Sequence, residues 1–483
     1  MGKEIADLEP KILWKHFYSL TQIPRPSGHE QKVIEFIIAF AKEHKLEYVQ
    51  DKVGNLIVRK QAAKGKEKIK TVVLQSHVDM VPQKNSNKKH DFEKDPIETI
   101  IDGEWLKAKE TTLGADNGIG VAAILAVLES SDILHGPIEA LFTINEEAGM
   151  EGAFGLKPGI LKGGILLNLD SEDEGELFVG CAGGIDVEAI TTYKEELAPL
   201  GQAHDISVSG LKGGHSGLDI NLGRANANKI LGRFLWSAHN NFPLKIAKIK
   251  GGDLRNAIPR EAHASIIIPE KHEHDFRKFF EQFAVEVKNE YKHTEPGMIL
   301  SLNPAGAPEM VCTDSAMPNL LSMLNAAIHG PVRMSDVMPG VVETSLNLAI
   351  VDFSDGQAKM IYLLRSFLES AKYALAEQVA SLHQVLGCQV DFDGDYPGWQ
   401  PNADSAILKT MKAVYKDDFG KEPAVKAIHA GLECGIIGSK YPEMDMISFG
   451  PTIRFPHSPD EKVKIDTVDK FWKYLKVTLE SIH

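Results

Sequence analysis

The sequence predicts an α/β fold, a mixed sheet with helices on both faces, interrupted by an inserted α+β domain. Apolar β-branched runs alternate with helical periodicity through the first 186 residues. After residue 186 the pattern changes to short strands and amphipathic helices, and the first pattern returns after residue 395. The predicted domains are therefore residues 1–186 together with 396–483, and residues 187–395 inserted between them.

The composition is that of an ordinary globular protein, with 43% hydrophobic and 25% charged residues in a chain of 483. The formal net charge of −14 argues against nucleic acid or an anionic membrane as a partner, because both attract basic surfaces. The N-terminus does not resemble a signal peptide, and no apolar run is long enough for a bilayer. The four scattered cysteines predict buried thiols, so we expect a soluble, cytoplasmic protein.

The first segment begins with two helices between residues 11 and 45, separated by a Pro- and Gly-containing loop. Strands follow at residues 55–59 and 71–75, and the second of these leads directly into Ser76-His77-Val78-Asp79. Polar residues after a buried central strand are typical of a site in an open α/β sheet.

A glycine-rich loop at residues 112–120 opens a helix of small residues and contains Asp116. It lacks a Walker lysine and a G-x-G-x-x-G motif, so it is only a weak signal for phosphate binding. The strand over 139–144 ends before Glu146 and Glu147, and the run at 164–169 ends before Asp170. Three predicted strand ends therefore carry metal-compatible or acid–base side chains.

Glu146 and Glu147 can face one site only if the chain bends there, because neighbours on a strand point to opposite faces. The nearby Gly149 favours such a bend. The alternative is that both acids are solvated loop charges.

The inserted region is predicted to contain two similar β-α-β-β-α units. The first has strands at 205–208, 246–249 and 261–268, with helices at 224–239 and 273–291. The second has strands at 298–301 and 343–350, with helices at 314–328 and 357–370. The last segment adds a helix at 404–415, a strand at 446–449 and a closing helix, which complete the first sheet.

Five residues are candidate metal ligands: His77, Asp116, Glu147, Asp170 and His457. Two imidazoles and three carboxylates suit zinc, manganese or cobalt, and a bridging Asp116 would let them hold two ions. Glu146 would stay free to move a proton, and Asp79 could orient His77. Each signal has a structural alternative, because a histidine at a strand end or an aspartate in a turn is common without a metal.

Taken in order, the motifs resemble the M20 family of metallopeptidases over essentially the whole chain. They are Ser76-His77-Val78-Asp79, Gly114-Ala115-Asp116-Asn117-Gly118, Asn145-Glu146-Glu147, Asp170 and His457. Within that family, the segments 169–176, 180–184 and 454–459 resemble those of the aminoacyl-histidine (Xaa-His) dipeptidases.

The resemblance implies one ion on His77, Asp116 and Asp170, and a second on Asp116, Glu147 and His457. It implies that Glu146 is the general base, that Asp79 orients His77, and that the Asp116–Asn117 peptide is cis. The expected cofactor is a pair of divalent ions, with zinc first and cobalt or manganese as alternatives.

In the inserted region, taken as a lid, the resemblance implies that His215 stabilises the oxyanion and that Asn256 binds substrate. In the last segment, Gly431 is a further candidate for binding substrate. Relatives use an arginine on a late lid strand for the substrate carboxylate, whereas residues 348–350 contain none. Arg365 and Arg255 are available, and Glu433 has no assigned role.

The resemblance implies a dipeptidase that hydrolyses Xaa-His, carnosine-like substrates with a hydroxide bridging the two ions. The alternatives are an M20 amidohydrolase of other scope, either a broad dipeptidase or an aminoacylase, and a metal-binding protein without catalysis. The expected partner is a small dipeptide, and a homodimer is a candidate assembly, in which His215 would act in its own subunit or in its partner.

Overall fold

A computed structural model describes residues 3–483 as a mixed α/β chain, which confirms the predicted class. Its strands are β1 (Glu47–Gln50), β2 (Leu56–Lys60), β3 (Val72–His77), β4 (Thr99–Asp102), β5 (Trp105–Ala108), β6 (Ile138–Thr143), β7 (Ile165–Asn168), β8 (Glu176–Cys181), β9 (Gly183–Thr192), β10 (Glu195–Leu197), β11 (Gln202–Ser209), β12 (Gly214–His215), β13 (Lys245–Gly251), β14 (Ala257–Ile258), β15 (Ala262–Ile268), β16 (Ile299–Pro304), β17 (Met310–Cys312), β18 (Gly330–Met334), β19 (Val342–Ser354), β20 (Gln357–Ser366), β21 (Gln389–Tyr396), β22 (Ala424–Ile428), β23 (Asp445–Ser448), β24 (Ile453–Arg454) and β25 (Lys462–Lys464). Its helices are α1 (Lys11–Thr21), α2 (Gln31–Glu43), α3 (Ala115–Glu129), α4 (Glu146–Gly149), α5 (Glu151–Gly155), α6 (Ala227–Asn241), α7 (Glu273–Glu290), α8 (Met317–Ala326), α9 (Glu369–Val385), α10 (Ala406–Phe419), α11 (Glu433–Lys440) and α12 (Ile465–Ser481).

The described chain divides into two compact units. The first comprises the residues up to Cys181, Pro401–Ala427 and Leu432–His483. The second comprises Ala182–Gln400 and the short segment Ile428–Gly431. The assignment of the inserted region as a lid stays a prediction.

The sheet of the first unit is mixed, with the order β1-β2-β6-β3-β7-β23-β8-β22. β3 runs parallel to β6 and β7, and β7 runs parallel to β23, whereas β2 pairs antiparallel with β1 and β6. Every residue of β3 and β7 is buried, as expected for central strands covered on both faces. The predicted mixed sheet is therefore confirmed.

Helix α3 packs against β3, and α1 and α12 in turn contact α3. Its small residues permit this close approach. A Cβ added to Gly120 would lie 2.3 Å from Ser76 Oγ and 2.6 Å from the Leu169 carbonyl oxygen. A glycine at this position therefore lets the start of α3, which carries Asp116, approach the ends of two central strands.

The sheet of the second unit has the order β16-β11-β15-β13-β19-β20-β9-β21. Its two halves mirror one another about the β13–β19 pair. One half contains β11, β13, β15 and β16, and the other contains β9, β19, β20 and β21, with β18 also paired to β19. The first strand of the second half, β9, precedes the whole first half in the chain, so the two halves are nested rather than consecutive.

The predicted helix at residues 357–370 is wrong. Residues 357–366 form strand β20, which pairs along its length with β19 and β9, and helix α9 begins only at Glu369. Ala358, Met360 and Tyr362 are buried, whereas Lys359 and Ile361 between them are less so. This period of two is that of a strand.

Two further sequence expectations concern burial and membrane spans. All four cysteines are buried, as predicted. Within residues 3–483, no helix combines the length and the apolar character needed to cross a membrane.

Candidate metal centre and active site

The ends of three parallel strands meet at one edge of the first sheet. β3 ends at His77, which lies opposite Thr143, the last residue of β6. β7 ends at Asn168, two residues before Asp170, and Gln75 of β3 lies opposite Asn168. Parallel pairing thus places His77, the Glu146–Glu147 pair and Asp170 at the same edge, as the sequence predicted.

The five candidate ligands converge there in two groups that share Asp116. His77 Nε2 lies 3.1 Å from Asp116 Oδ1 and 3.2 Å from Asp170 Oδ1. His457 Nε2 lies 3.2 Å from Asp116 Oδ2 and 3.0 Å from Glu147 Oε2. One oxygen of Asp116 therefore faces each histidine, and ligand atoms of His77, Asp116 and Glu147 all lie within 4.8 Å of one another.

The electrostatics of this cluster favour bound cations. Hydrogen bonds with Asp116 and then Glu147 raise the pKa of His457 to about 11, against the effect of burial. Burial raises the pKa of Asp170 to about 6, and nearby Asp116 and Glu147 add to the effect. Glu147 Oε1 is buried and makes no hydrogen bond within the described chain. Three carboxylates with two imidazole nitrogens and no thiolate fit a pair of divalent ions.

Asp79 connects His77 to the turn that carries the paired acids. Its Oδ1 lies 3.2 Å from His77 Nδ1 and accepts the backbone N–H of Glu146 at 3.1 Å, while Oδ2 accepts that of Glu147 at 3.1 Å. Burial raises the pKa of Asp79, whereas His77, Ser27 and the Glu146 amide lower it, and the net result is a pKa of about 2. Asp79 is therefore ionised at the start of α4, and its position beside His77 Nδ1 suits the predicted orienting role, which stays a prediction.

The chain leaves the strand between β6 and the two acids. Asn145 adopts a left-handed conformation with φ 52° and ψ 39°, and Glu146 and Glu147 then form the first turn of α4. Burial raises the pKa of Glu146 well above its ordinary value; the charge of His77 opposes this effect, and nearby Asp170, Glu433 and Glu147 add to it. Within the described chain, the Glu146 carboxylate has no ion pair.

The loop before α3 is held by a buried acid that the sequence analysis missed. Glu461 accepts the backbone N–H groups of Leu113, Gly114, Ala115 and Asp116 at 2.7–3.2 Å. A phosphate-binding loop would use these backbone amides to bind phosphate. Because they already donate to Glu461, they are not available for a phosphate. The Asp116–Asn117 peptide in this loop is cis, as the sequence resemblance implied.

Arg25, also missed, holds the same loop from its other side. Its guanidinium is buried and donates to the carbonyl oxygens of Val78, Asp79 and Gly114 at 2.5–2.9 Å. It thus joins the segment after β3 to the segment before α3. The contacts of Arg25 and Glu461 are with backbone groups far away in sequence, which leaves no local motif to find them by.

Comparison with known proteins decides the family. The model of peptidase family M20/M25/M40 matches residues 73–481, most of the chain. The chain belongs to peptidase family M20. The resemblance found in the sequence motifs is therefore confirmed.

Two M20 relatives match over nearly their whole lengths. The chain is 44% identical to the cytosol non-specific dipeptidase of Escherichia coli strain K12, over 99% of each chain. It is 46% identical to the aminoacylhistidine dipeptidase of Vibrio alginolyticus, whose structure superposes with a TM-score of 0.94 over 99% of this chain and 98% of that one. Aminopeptidase PepT of Bacillus cereus shares the fold, with a TM-score of 0.58 at 15% identity over 98% of this chain and 99% of that one.

In the second unit of this M20 chain, His215 lies on the short strand β12, opposite Ala257 of β14. Its Nδ1 accepts the backbone N–H groups of Gly217 and Leu218 at 3.1 and 3.0 Å. Burial, followed by the charge of Arg365, lowers its pKa to about 4. At neutral pH the ring is therefore neutral with its proton on Nε2, which makes it a hydrogen-bond donor.

The two predicted substrate residues lie near the His215 loop. The carbonyl oxygen of Asn256 accepts the backbone N–H of Ser216 at 2.8 Å. Gly431 ends the segment Ile428–Gly431, whose His429 carbonyl lies so close to Gly217 that an added Cβ would be 1.8 Å away. The structure thus brings both segments beside His215, while their roles stay predictions.

Of the two arginines left open by the sequence, Arg365 is the one that lacks a carboxylate partner within the described chain. It is 5% exposed and donates to Tyr396 Oη at 2.7 Å and to Ser216 Oγ at 3.4 Å. Arg255 instead pairs with Asp186 at 2.9 Å. The sequence alone does not rank the two arginines, and the predicted helix at 357–370 contained Arg365, which the structure places near the end of β20.

Three other histidines lie within hydrogen-bond distance of neighbouring protein groups. His429 Nε2 lies 2.8 Å from Ser345 Oγ, and His135 Nδ1 lies 2.6 Å from the Gly136 carbonyl oxygen. His329 Nδ1 lies 3.2 Å from Asn226 Nδ2.

Proposed function

We propose that this M20 chain is a dinuclear-metal dipeptidase that hydrolyses Xaa-His dipeptides and, more broadly, other dipeptides. The observation that carries the proposal is the convergence of five nitrogen and oxygen ligands beside an unpaired Glu146. The names of the two full-length relatives, a non-specific dipeptidase and an aminoacylhistidine dipeptidase, support this substrate class. We expect the cytoplasm as its compartment, as the name of the Escherichia coli relative says of that protein.

We assign His77, Asp116 and Asp170 to one ion, and Asp116, Glu147 and His457 to the other. When bound, divalent ions polarise the scissile carbonyl and acidify water. Glu146 then accepts a proton from the attacking water and returns it to the leaving amine as the C–N bond breaks. Burial is the chief cause that raises its pKa above that of an ordinary glutamate, and this direction favours proton uptake. Zinc is the first candidate metal, with cobalt and manganese as alternatives.

We assign substrate recognition and oxyanion stabilisation to residues of the second unit. His215 supplies a neutral Nε2–H, which can donate to the oxyanion without first losing a proton. Arg365 supplies the full positive charge that a free substrate carboxylate requires. The role of His215 rests on its sequence motif and on this protonation state.

The test of the proposed function is the Glu146→Gln variant. We expect it to bind as much metal as the wild type, while kcat falls by about 10²- to 10⁴-fold because the proton acceptor is lost. Metal content by mass spectrometry and hydrolysis of β-alanyl-histidine measure the two effects. The matched control is Glu151→Gln, an exposed acid in α5, which should change neither. Full activity of Glu146→Gln would exclude this mechanism.

The breadth of the substrate range has its own test. A panel of Xaa-His dipeptides, other dipeptides and N-acyl amino acids, assayed with zinc, cobalt and manganese, separates a dipeptidase from an aminoacylase. Preferential hydrolysis of N-acyl amino acids would contradict the proposal, and bound metal without any hydrolysis would favour a non-catalytic metal-binding protein. A homodimer stays a proposal, which light scattering of the metal-loaded protein tests.

A further inference from the structure

A buried polar layer lies beside the candidate ligands in the first unit. We define it as Gln75, Thr143, Asn168 and Glu433, each of which has 0% exposed surface. None of these residues is a candidate ligand or proton carrier. Burying polar side chains this completely destabilises the folded chain unless they form hydrogen bonds. Their hydrogen-bond partners are therefore informative.

The polar layer is one connected network centred on a single oxygen. Glu433 Oε2 accepts hydrogen bonds from Gln75 Nε2 at 2.6 Å and from Thr143 Oγ1 at 2.7 Å. Gln75 Nε2 also donates to Thr143 Oγ1 at 3.1 Å, and Gln75 Oε1 accepts from Asn168 Nδ2 at 2.5 Å. Glu433 thereby joins β3 and β6 directly, and it joins β7 through Gln75.

Each strand member of the polar layer comes just before a candidate catalytic or ligand residue. Gln75 is two residues before His77, and Asn168 is two residues before Asp170. Residues two apart on a strand point to the same face, so Gln75 lies on the face of β3 that carries His77. Thr143 is the last residue of β6, before the turn that carries Glu146 and Glu147. On all three strands, the residue of the network therefore precedes the candidate ligand by a few positions in the chain.

Packing alone does not explain an acid at position 433. The Glu433 carboxylate is buried at the start of α11 and has no cation partner within the described chain. Burial raises its pKa to about 8, which shows how unfavourable the charge is at this place. An apolar residue of similar size would avoid that cost. A function for the hydrogen bonds of Glu433 would explain why an acid is present.

We propose that Glu433 is a positioning residue, whose Oε2 holds the ends of β3, β6 and β7 at the spacing that lets His77, Glu147 and Asp170 bind the metal pair. The inference rests on the proposed function, because only a metal centre requires this spacing. It assigns a role to a residue that is neither a candidate ligand nor the candidate proton carrier.

The experiment compares Glu433→Leu with Glu433→Gln in the full-length, metal-free chain titrated with cobalt alone. One carboxylate oxygen accepts both hydrogen bonds, so the glutamine amide oxygen can replace it and leucine cannot. We expect Glu433→Leu to weaken cobalt binding by about 10- to 100-fold, as loss of a ligand-orienting contact does elsewhere. We expect Glu433→Gln to bind within a few fold of the wild type. Cobalt absorption spectra report ligand geometry independently of activity.

Two further variants separate positioning from general stability. Thr143→Val keeps the shape but removes the hydrogen bonds of Thr143 with Glu433 and Gln75, while the direct Gln75–Glu433 hydrogen bond remains. It should therefore weaken cobalt binding less than Glu433→Leu, and it remains informative if that variant does not fold. Glu139→Leu removes a carboxylate at the opposite end of β6 that is 2% exposed and accepts the N–H groups of Lys162 and Gly163. It should lower the thermal midpoint without changing cobalt affinity.

Wild-type cobalt affinity in Glu433→Leu and Thr143→Val would overturn the positioning role. Equal weakening in Glu433→Gln and Glu433→Leu would also overturn it, because charge rather than hydrogen bonding would then be responsible. A wild-type chain that binds no cobalt would instead overturn the proposed function, so the two failures are distinguishable.

Discussion

Arg365 and Arg255 show how the contacts of one residue separate two candidates that are alike in sequence. Among the described residues, Arg365 is buried and hydrogen-bonded only to neutral oxygens, whereas the Arg255 side chain is 52% exposed and already paired with Asp186. A buried guanidinium without a carboxylate partner is unfavourable until an anion binds. Arg365 is therefore the better candidate for the carboxylate of a dipeptide.

Replacing Arg365 by methionine should selectively weaken substrates with a free carboxylate. Loss of a charge-assisted hydrogen bond costs about 1.5–3 kcal/mol, which predicts a fall of about 10- to 100-fold in kcat/KM for β-alanyl-histidine. The C-terminal amide of the same dipeptide should be affected much less, because it carries no charge. The kinetics of the acid and the amide measure this difference.

The control for that substitution is Arg255→Met. Its partner Asp186 is a protein residue, so this variant should lower kcat/KM for acid and amide to the same small extent. Equal losses for the two substrates in Arg365→Met would show that Arg365 does not read the carboxylate.

The candidate ligands were predictable from the sequence, whereas the residues that hold their loops in place were not. His77, Asp116, Glu147 and Asp170 have side chains suited to metals and follow recognisable strands or glycines. Glu461 accepts hydrogen bonds from backbone amides that lie up to 348 residues earlier in the chain. In the sequence alone, an acid at position 461 resembles an ordinary surface charge. Its role depends on tertiary structure alone.

At the scale of elements, β20 shows where periodicity fails. Tyr362, Leu363 and Leu364 are all buried, so the second half of β20 reads as a continuous apolar run. Such a run does not distinguish a buried strand from a helix, and the helical sequence from Glu369 follows almost at once. The error moved Arg365 away from the loop that contains Ser216.

The loop before α3 carries a prediction at the same scale. Glu461→Gln leaves one acceptor oxygen for four backbone N–H groups, so some of them lose their partner. We expect the free energy of unfolding to fall by about 1–3 kcal/mol, the cost of an unsatisfied buried donor. Urea unfolding measures the loss, and hydrogen exchange at Leu113–Asp116 locates it.

A matched control for Glu461→Gln is Asp460→Asn, an exposed acid one residue earlier. Unchanged exchange at Leu113–Asp116 in Glu461→Gln would show that other groups hold this loop.

At the scale of the whole chain, the two halves of the second sheet explain why the predicted repeat was only partly recognisable. The sequence shows similar element orders after residue 205, but β9, the counterpart of β11, precedes both. β16 was expected to be the first strand of the second β-α-β-β-α repeat. It instead pairs with β11 and completes the first half of the sheet. A nested repeat cannot be read as a consecutive one, because pairing partners are set by the sheet rather than by chain order.

Buried histidines make the second unit sensitive to acid. Burial lowers the pKa of His329 and His383 to about 4 and that of His429 to about 3. In the unfolded chain these histidines take up a proton below about pH 6.5, whereas in the folded chain they remain neutral until about pH 4 or lower. Proton uptake between those values favours the unfolded state, so their contribution to stability is full above pH 6.5 and is lost as pH falls towards 4.

His383 gives the sharpest measurement of this effect. Its Nε2 lies 2.7 Å from Tyr362 Oη in the core, so His383→Gln should destabilise the chain at pH 7.5. At pH 5 the wild type alone has lost up to about 2 kcal/mol through this group, and the deficit of the variant should shrink by that amount. Urea unfolding of both proteins at the two pH values gives the difference between their free energies of unfolding. Acids such as Asp170 contribute equally to both proteins, so their opposite pH dependence cancels in this difference.

The control is His293→Gln, which replaces an exposed histidine. A loss of unfolding free energy in His383→Gln that is the same at both pH values would contradict a neutral, buried His383.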